Sequence, residues 1–308
     1  MKKRYKFLII IVILIAIFLF VCRPRLSITE LDGDIVFVSE PQKRHFQLHT
    51  YDIADNEVKS VDVSRLFFFP TVDLINNRFI CLIQYGSTPG SYREYGSLVK
   101  AEHKMGKLKA CGRYPESIQL DPRENNEDYV IITSFMDVEI FNMATCETVE
   151  LLYSWRKGTE LEEDKRYIDR VSMSRDGKYL YLGKIGNAFR PADSIVQLNL
   201  ITRERVSLVD GSRPSISPDG NRLAFIDNDT LKILDIDTRA VIDFDKSNFL
   251  KQYHFSTVDW DESGSKLLVE MYYGNENERT YRIFILDVYS GNVTAISTPG
   301  MQASWIRK

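Results

Sequence analysis

Cysteine is scarce in this chain and is not spaced for a metal site. Of the four cysteines, Cys81, Cys111 and Cys146 follow the N-terminal segment, and no C-x-x-C spacing occurs among them. Cysteine-based zinc sites and disulfide frameworks use cysteines paired at short, recurrent spacings. The sequence therefore predicts neither, although one pair among the three could still close in an oxidising compartment.

Positive charge is also scarce once the first 25 residues are set aside. Those residues carry six of the 40 lysines and arginines and none of the 43 acids, so the rest carries 34 basic and 43 acidic side chains, a net charge of −9. A domain of that charge is a poor match for the phosphate backbone of nucleic acid. We therefore expect no nucleic-acid partner.

Helical periodicity and the common catalytic motifs are missing as well. No segment after residue 25 sustains an apolar period of 3.6 residues over three turns. The chain contains no G-x-S-x-G motif, which would mark a hydrolase nucleophile, and no glycine-rich nucleotide loop. The sequence accordingly predicts a fold with little helix, no catalytic residue, no metal and no cofactor.

The N-terminus carries a long apolar run. Sixteen uncharged residues, Phe7 to Cys22, follow the basic cluster MKKRYK. A helix of that length would span about 24 Å, which is short for a bilayer core of about 30 Å. Length alone is therefore compatible with both an anchor and a cleaved signal peptide.

The residues around this run favour an uncleaved anchor. No small-residue cleavage site follows it, and Val21 is bulky for the residue before a lipoprotein cysteine at Cys22. Because the stronger basic cluster precedes the run, the N-terminus is expected in the cytoplasm. We predict a signal anchor, a single transmembrane helix, over residues 1–25 and a domain over residues 26–308 on the extracytoplasmic (periplasmic or extracellular) side of the cytoplasmic membrane.

One tight turn occurs three times, at intervals of 43 and 44 residues. The copies are MSRDGKYLYL (173–182), ISPDGNRLAF (216–225) and WDESGSKLLV (260–269). In the second copy a proline presets φ, an aspartate bonds the local backbone and a glycine takes the left-handed conformation. The residues after each copy are rich in β-branched and aromatic types, so each turn is predicted to be the corner of a β-hairpin.

A second turn signature follows each of these hairpins. An Asp or Asn ends an apolar strand, and a Thr, Ser or Asp lies three residues later. Such side chains bond the free backbone N–H groups of a corner, which predicts further hairpin turns. The five copies begin at Asp52, Asn142, Asn199, Asp235 and Asp287.

The two turns alternate in units of about 40 to 45 residues, each with four strands, which is the pattern of a β-propeller blade. We predict an all-β, six-bladed propeller, with seven blades as the alternative. The C-terminal MQASWIRK (301–308) matches the innermost strands of other units and is predicted to close the first blade. The six units cover residues 31–64, 67–112, 113–156, 168–211, 212–246 and 255–297.

The SPDG and SRDG turns, with the LDIDT segment (234–238), resemble the TolB-like, or WD-repeat-like, β-propeller repeat of bacterial envelope proteins. The match is good over residues 168–297 and weaker over 31–156. The resemblance implies an interaction scaffold with a protein partner in the cell envelope. The repeat also occurs in the gating domain of some serine peptidases, whose nucleophile motif this chain lacks.

Long connections and tight turns are expected on opposite faces of such a ring. Long loops on a rigid scaffold are where recognition residues concentrate, and tyrosine and arginine are frequent interface anchors. We predict that the long-loop face binds a partner; the alternative is that its aromatic side chains only cover blade edges. The candidate partner-binding residues are Tyr92, Arg93, Tyr95, Phe189, Arg190, Tyr272, Tyr273 and Arg279.

Two other clusters have simpler explanations. His45 and His49 lie on the same side of a predicted strand, but no third metal ligand accompanies them and a surface strand face explains them better. Asp227, Asp229, Asp235 and Asp237 resemble parts of a calcium loop without its glycine and terminal glutamate, and they are predicted to form hairpin turns.

The rival function is an enzyme with its site in the central channel, such as a metal-dependent lactonase-like hydrolase. That site would need several acidic, amide or histidine side chains on the innermost strands. These strands read VSMS, PSIS and TVDWD, which are small and apolar apart from Asp259. The sequence therefore favours a membrane-anchored, non-enzymatic protein-interaction or sensing scaffold.

Overall fold

The structure is a computed structural model in which every regular element of the described residues is a β-strand. Twenty-five strands form five sheets, and the described residues contain no helix. The predicted anchor over residues 1–25 lies outside them. The described stretches are 34–42, 45–61, 68–69, 74–75, 78–85, 95–101, 108–110, 117–122, 129–133, 137–142, 145–154, 167–185, 194–244, 252–274 and 279–307.

Sheets 2 to 5 each contain four antiparallel strands in chain order. Sheet 2 contains β9 (Ser117–Leu120), β10 (Tyr129–Thr133), β11 (Asp137–Asn142) and β12 (Glu147–Ser154). Sheet 3 contains β13 (Tyr167–Met173), β14 (Tyr179–Ile185), β15 (Ser194–Asn199) and β16 (Arg205–Asp210). Sheet 4 contains β17 (Ser212–Ile216), β18 (Arg222–Asp227), β19 (Thr230–Asp235) and β20 (Val241–Phe244). Sheet 5 contains β21 (His254–Trp260), β22 (Lys266–Tyr273), β23 (Thr280–Asp287) and β24 (Val293–Ala295).

Sheet 1 has nine strands and includes both ends of the described chain. Its order is β3-β2-β1-β25-β5-β6-β7-β8, and β4 pairs with β6. The strands are β1 (Ile35–Gln42), β2 (His45–Asp52), β3 (Glu57–Val61), β4 (Phe68–Phe69), β5 (Leu74–Ile75), β6 (Arg78–Tyr85), β7 (Tyr95–Ala101), β8 (Leu108–Ala110) and β25 (Met301–Arg307).

The predicted all-β propeller is confirmed, but the number of blades differs from the prediction. The structure has five sheets rather than six separate blades. Residues that the sequence assigns to the first and second blades form one sheet, because β25 pairs with β5 in parallel, Ile306 opposite Leu74 and Arg307 opposite Ile75. This contact joins the inner edges of two otherwise antiparallel groups of strands.

The C-terminal strand closes the ring as predicted. β25 pairs antiparallel with β1, with Trp305 opposite Ile35 and Ser304 opposite Val36. Trp305 is buried, and its indole Nε1 donates to the Asp259 carbonyl of sheet 5 at 3.1 Å. The last strand of the chain therefore ties the first sheet to the last one.

The first turn signature forms the predicted hairpin corners. In the second copy Gly220 has φ +78°, its N–H donates to the Ser217 carbonyl at 2.9 Å, and the Asn221 N–H donates to Asp219 Oδ1 at 3.1 Å. Gly177 and Gly264 have the corresponding left-handed conformation in the other two copies. The sequence thus encodes these corners through local bonds and one left-handed residue.

The second signature also forms as predicted. Asp235 Oδ1 accepts both the backbone N–H and the hydroxyl of Thr238, each at 2.7 Å. Asp287 accepts the same pair from Ser290, at 2.8 and 2.9 Å. Asp227, Asp229, Asp235 and Asp237 therefore lie at the ends of strands and in hairpin turns, as predicted.

The two kinds of turn lie at the same end of their sheets. The Ile236 N–H donates to the Asn221 carbonyl at 2.8 Å, and the Val288 N–H donates to the Ser265 carbonyl at 3.0 Å. Each of these bonds joins the two turns of one sheet. We call this end, which carries turns 52–56, 174–178, 199–204, 217–221, 235–240, 261–265 and 287–292, the turn face, and the opposite end the loop face.

The core lies between consecutive sheets, because strands such as β22 bury apolar side chains on both of their faces. In β22 Leu267 and Val269 pack toward sheet 4, whereas Leu268 packs toward sheet 1. Polar bonds join the inner strands across the same interfaces: Trp260 Nε1 donates to the Ser215 carbonyl at 2.9 Å, one sheet before the equivalent bond of Trp305. Packing and hydrogen bonds between the sheets therefore support the loops at the two faces.

Two glycines next to β17 provide a matched test of this packing: Gly211 precedes the strand, and Gly220 lies in the turn that follows it. A Cβ on Gly211, at φ +146°, would lie 2.5 Å from Phe225 Cδ2, whereas a Cβ on Gly220 would meet nothing within 4 Å. We expect Gly211→Ala to destabilise the domain by about 3 kcal/mol through strain and overpacking. Gly220→Ala should cost about 1 kcal/mol through its left-handed conformation alone. Equilibrium unfolding in urea measures both; equal losses would contradict this packing.

The turn-face aspartates predict a loss of stability in acid. Hydrogen bonds lower the pKa of Asp176, Asp235 and Asp287 below the usual 3.8, chiefly from Ser174 Oγ, the Thr238 N–H and the Ser290 N–H respectively. An aspartate whose pKa is lower in the folded than in the unfolded domain stabilises the fold at pH values above the unfolded pKa. This stabilisation is lost as the pH falls through the folded pKa. The urea midpoint should therefore fall as the pH drops below the unfolded pKa of 3.8 and through the lower folded pKa values of these aspartates.

Asp235→Asn is the matched control for that titration. Asn199 accepts the same turn bonds in sheet 3, from the Ile201 N–H at 2.9 Å and the Thr202 N–H at 3.0 Å. The amide should therefore keep the turn of sheet 4 while removing one titrating group. A pH profile of the variant as steep as that of the native chain would show that the Asp235 carboxylate does not contribute to the loss of stability in acid.

Candidate functional site

Three of the predicted partner-binding residues lie together on the loop face of sheet 5. Tyr272 and Tyr273 end β22, and Arg279 immediately precedes β23. Tyr95 is the first residue of β7 in sheet 1, where it pairs with Tyr85. The remaining candidates, Tyr92, Arg93, Phe189 and Arg190, lie outside the described residues and stay predictions.

The centre of the site is a row of rings across three strands. His254 pairs with Tyr272 between β21 and β22, and Tyr272 pairs with Tyr281 between β22 and β23. The ring centroids are 5.4 Å apart in the first pair and 6.0 Å apart in the second. Cross-strand neighbours on one face of a sheet are close enough for such contacts. The register of sheet 5 therefore builds this row.

Arg279, one of the predicted partner-binding residues, lies on the ring of Tyr272. The guanidinium carbon of Arg279 is 4.5 Å from the centroid of Tyr272, within the range of a cation–π contact. Tyr273 points to the other side of the strand, with its ring 5.7 Å from that of Tyr253, and remains 52% exposed. The site thus presents an arginine and a tyrosine to solvent, both held by neighbouring rings.

An acid from the preceding sheet fixes the histidine. Asp229 lies in the two-residue turn between β18 and β19, with φ +59°. Its Oδ2 is 2.7 Å from His254 Nδ1, and its Oδ1 accepts the Phe255 N–H at 2.9 Å. Because one carboxylate binds both groups, it holds the start of β21 against sheet 4. We call Asp229, His254, Tyr272, Tyr273, Arg279 and Tyr281 the loop-face cluster.

Sequence reasoning did not identify His254 or Asp229 as parts of this site. The turn position of Asp229 was predicted, and His254 lies at the end of the link 246–254, which the sequence shows as a long connection. Their meeting depends on how sheet 4 packs against sheet 5, which no local pattern encodes. The proximity of Tyr272, Tyr273 and Arg279 needs only one hairpin, so it could be predicted.

The loop-face cluster has the chemistry of a recognition surface. Tyrosine and arginine are enriched among the residues that dominate binding energy at protein interfaces. A tyrosine has few rotatable bonds, and these rings and the guanidinium are already held in place, so little conformational entropy remains to be lost on binding. The geometry is therefore suited to contacting a partner without large rearrangement.

The pair His45 and His49 does not form a metal site among the described residues. His49 is buried rather than on a surface strand face as predicted. Ser39 Oγ lies 2.6 Å from its Nε2 and Ser60 Oγ lies 2.9 Å from its Nδ1, and burial lowers the pKa of its imidazole. Both ring nitrogens therefore have protein partners. Across the described stretches, no group of three or more potential metal ligands occurs.

The inner strands hold few groups suited to catalysis. Within the described strands β13, β17 and β21, the acidic residues are Asp169 and Asp259. Asp259 Oδ1 accepts the Ser215 hydroxyl at 3.3 Å, which joins the inner strands of sheets 4 and 5. In this part of the channel the polar side chains thus bond neighbouring sheets to each other.

Two further features concern location. Among the described residues no helix is long and apolar enough to cross a membrane, and the predicted anchor lies outside them. Cys146, at φ +62° in the turn between β11 and β12, is disulfide-bonded. The sequence left open whether one pair of the three downstream cysteines closes, and the structure shows that Cys146 takes part in a disulfide bond.

Comparison with known proteins gives similarity of fold. No protein-family model matches the sequence, and neither does any curated protein. TolB from Acinetobacter baumannii is 17% identical, with a TM-score of 0.51 over 88% of this chain and 67% of that one. A candidate TolB from Agrobacterium tumefaciens is 13% identical, with a TM-score of 0.59 over 91% of this chain and 100% of that one.

An enzyme shares the architecture as well. An oligogalacturonate lyase in complex with manganese is 10% identical, with a TM-score of 0.50 over 86% of this chain and 74% of the lyase chain. The architecture therefore accompanies both TolB proteins and a lyase, and it does not by itself separate a scaffold from an enzyme. At these identities the likeness extends to fold alone: the chain is a β-propeller similar in fold to TolB.

Proposed function

We propose that this chain is a membrane-anchored, extracytoplasmic β-propeller that acts as a non-enzymatic protein-interaction or sensing scaffold. It binds a protein partner of the cell envelope through its loop face. The observation that carries the proposal is the loop-face cluster, in which Arg279 lies on Tyr272 and the exposed Tyr273 packs on Tyr253. Three residues predicted from sequence as interface anchors thus lie at the loop-face end of sheet 5, Tyr272 and Tyr273 on its two sides.

Three observations support the proposed location. The basic cluster and the apolar run Phe7 to Cys22 have the order expected of an anchor that leaves the rest of the chain outside. A disulfide at Cys146 is favoured by an oxidising compartment, such as the periplasm or the cell exterior. The fold similarity to TolB agrees with a role in the cell envelope.

Photo-crosslinking in the native host tests the binding face. A crosslinking amino acid at position 273 places the probe on the exposed tyrosine of the loop-face cluster, and position 237 places it on the turn face. We expect a discrete protein adduct from position 273 and none from position 237. Adducts from 237 alone would place the partner on the opposite face. No adduct from either position would count against the scaffold and favour substrate screening of the central channel.

A further inference from the structure

The chain enters the propeller at the turn face. Ile35, the first residue of β1, pairs with Tyr51 at the end of β2. The Asp34 N–H donates to the Tyr51 carbonyl at 2.9 Å, and Asp34 Oδ2 accepts the Ile53 N–H at 2.9 Å. Asp34 is therefore bonded to the turn that joins β2 and β3, on the turn face.

Only a short length of chain separates this point from the apolar run. Residues 23–33 lie between Cys22 and Asp34. A flexible chain of that length has a root-mean-square span of about 17 to 20 Å, and full extension gives at most about 40 Å. An eight-residue strand such as β1 or β22 is itself about 27 Å long. With an anchor in the membrane, the turn face is held near the bilayer and the loop face is carried away from it.

We propose that the turn face is the membrane-facing side of the propeller, and that Ile201 and Tyr289 contact the interfacial region of the bilayer. This inference rests on the proposed N-terminal anchor. It also gives the loop-face cluster a direction, since the partner-binding surface then points away from the membrane.

Ile201 and Tyr289 occupy equivalent tips on this face. Each lies two residues after the Asn or Asp that begins its turn, and its N–H donates to that side chain, Ile201 to Asn199 Oδ1 at 2.9 Å and Tyr289 to Asp287 Oδ1 at 3.1 Å. These bonds fix the tips, which are 73% and 76% exposed. An apolar chain and a tyrosine ring are side chains that partition into the membrane interface.

The net charge of the domain indicates which lipid headgroups its turn face can approach. Residues 26–308 carry a net charge of −9, so an anionic surface would repel the domain as a whole. Arg222 lies 5.5 Å from the Tyr289 ring centroid, so the tip is not surrounded by acids alone. The chemistry therefore fits a zwitterionic lipid surface, which the short tether keeps at high local concentration.

Depth-dependent fluorescence quenching tests the orientation. The full chain is reconstituted in phosphatidylcholine–phosphatidylethanolamine vesicles with an environment-sensitive fluorescent amino acid at position 201 or 289. Positions 273 and 242 are matched controls, because Tyr273 on the loop face and Ile242 on outer strand β20 are 52% and 59% exposed. Spin-labelled phosphatidylcholine is expected to quench probes at 201 and 289 several-fold more than probes at 273 and 242. Inserting a long Gly/Ser segment after residue 30 should reduce that difference.

The outcomes separate the orientation from the anchor. Alkaline carbonate extraction of the same vesicles reports whether the chain is integral to the membrane. If carbonate releases the protein, the anchor fails, and the orientation fails with it. If the protein is retained but quenching is equal at all four positions, or is strongest at 273, the anchor holds and the proposed orientation is wrong.

Discussion

A chain that ends at Gly300 is expected to lose its cooperative fold. The truncation removes β25, which lies between β1 and β5 in the interior of sheet 1. It leaves the buried side chains of Ile35 and Phe37 without their cover and opens two strand edges at once. Replacing a buried tryptophan by alanine alone costs about 3 to 5 kcal/mol, and domains are typically stable by about 5 to 15 kcal/mol. Loss of the whole strand should therefore remove most of the free energy of unfolding of the domain.

Three single substitutions, two at Trp305 and one at the exposed Ile201, are expected to lower the free energy of unfolding by different amounts. Trp305→Ala should destabilise the domain by about 3 to 5 kcal/mol. Trp305→Phe keeps most of the packing but loses the hydrogen bond to the Asp259 carbonyl. Loss of that bond should cost about 1 kcal/mol, in addition to the cost of the cavity that the smaller ring leaves. Ile201→Ala, at an exposed tip, should change stability by less than about 0.5 kcal/mol. A truncated chain that unfolds at the native urea midpoint would show that the ring does not need its closing strand.

The turns could be predicted because they depend on local chemistry, and the closing strand because it matches the innermost strands of other units. Gly220 and Asp235 define their corners through bonds within five residues. The segment 301–308 was recognised as a strand by its match to β17 and β21, and an innermost strand was missing from the first unit. The first turn signature occurs three times and the second five times, so each copy supports the others.

The number of sheets could not be predicted from the same patterns. The parallel contact between β25 and β5 involves two residue pairs from opposite ends of the chain. No turn residue or alternation of apolar side chains marks such a contact, because parallel partners need not be near in sequence. The prediction of six separate blades is therefore wrong, because the first two units share one sheet.

The candidate site follows the same division. Tyr272, Tyr273 and Arg279 flank one connection, so their proximity follows from a single hairpin. Asp229 reaches His254 from another sheet, and this contact depends on the packing of sheet 4 on sheet 5. The local sequence therefore predicts that Tyr272, Tyr273 and Arg279 lie close together. The contact of Asp229 with His254 arises only from tertiary packing.

Arg279→Ala is expected to weaken partner binding by about 30-fold or more, which corresponds to about 2 kcal/mol for an anchor residue. The substitution removes the guanidinium from the Tyr272 ring and leaves the exposed cluster without its arginine. Arg279→Lys keeps the charge but not the planar, stacked donor group, so it should restore only part of the affinity. The measurement is the yield of the adduct from position 273, followed by the Kd for the partner that the adduct identifies.

Arg205→Ala is the matched control, because it separates loss of binding from loss of stacking. Arg205 lies 5.1 Å from the Tyr153 ring centroid, between outer strands β16 and β12 and away from the loop-face cluster. Each substitution should reduce stability by no more than about 1 kcal/mol, as expected for an exposed cation–π contact. Only Arg279→Ala should reduce binding. If both variants bind as the native chain does, the loop-face cluster does not contact the partner, and the aromatic residues there serve to cover the edge of sheet 5.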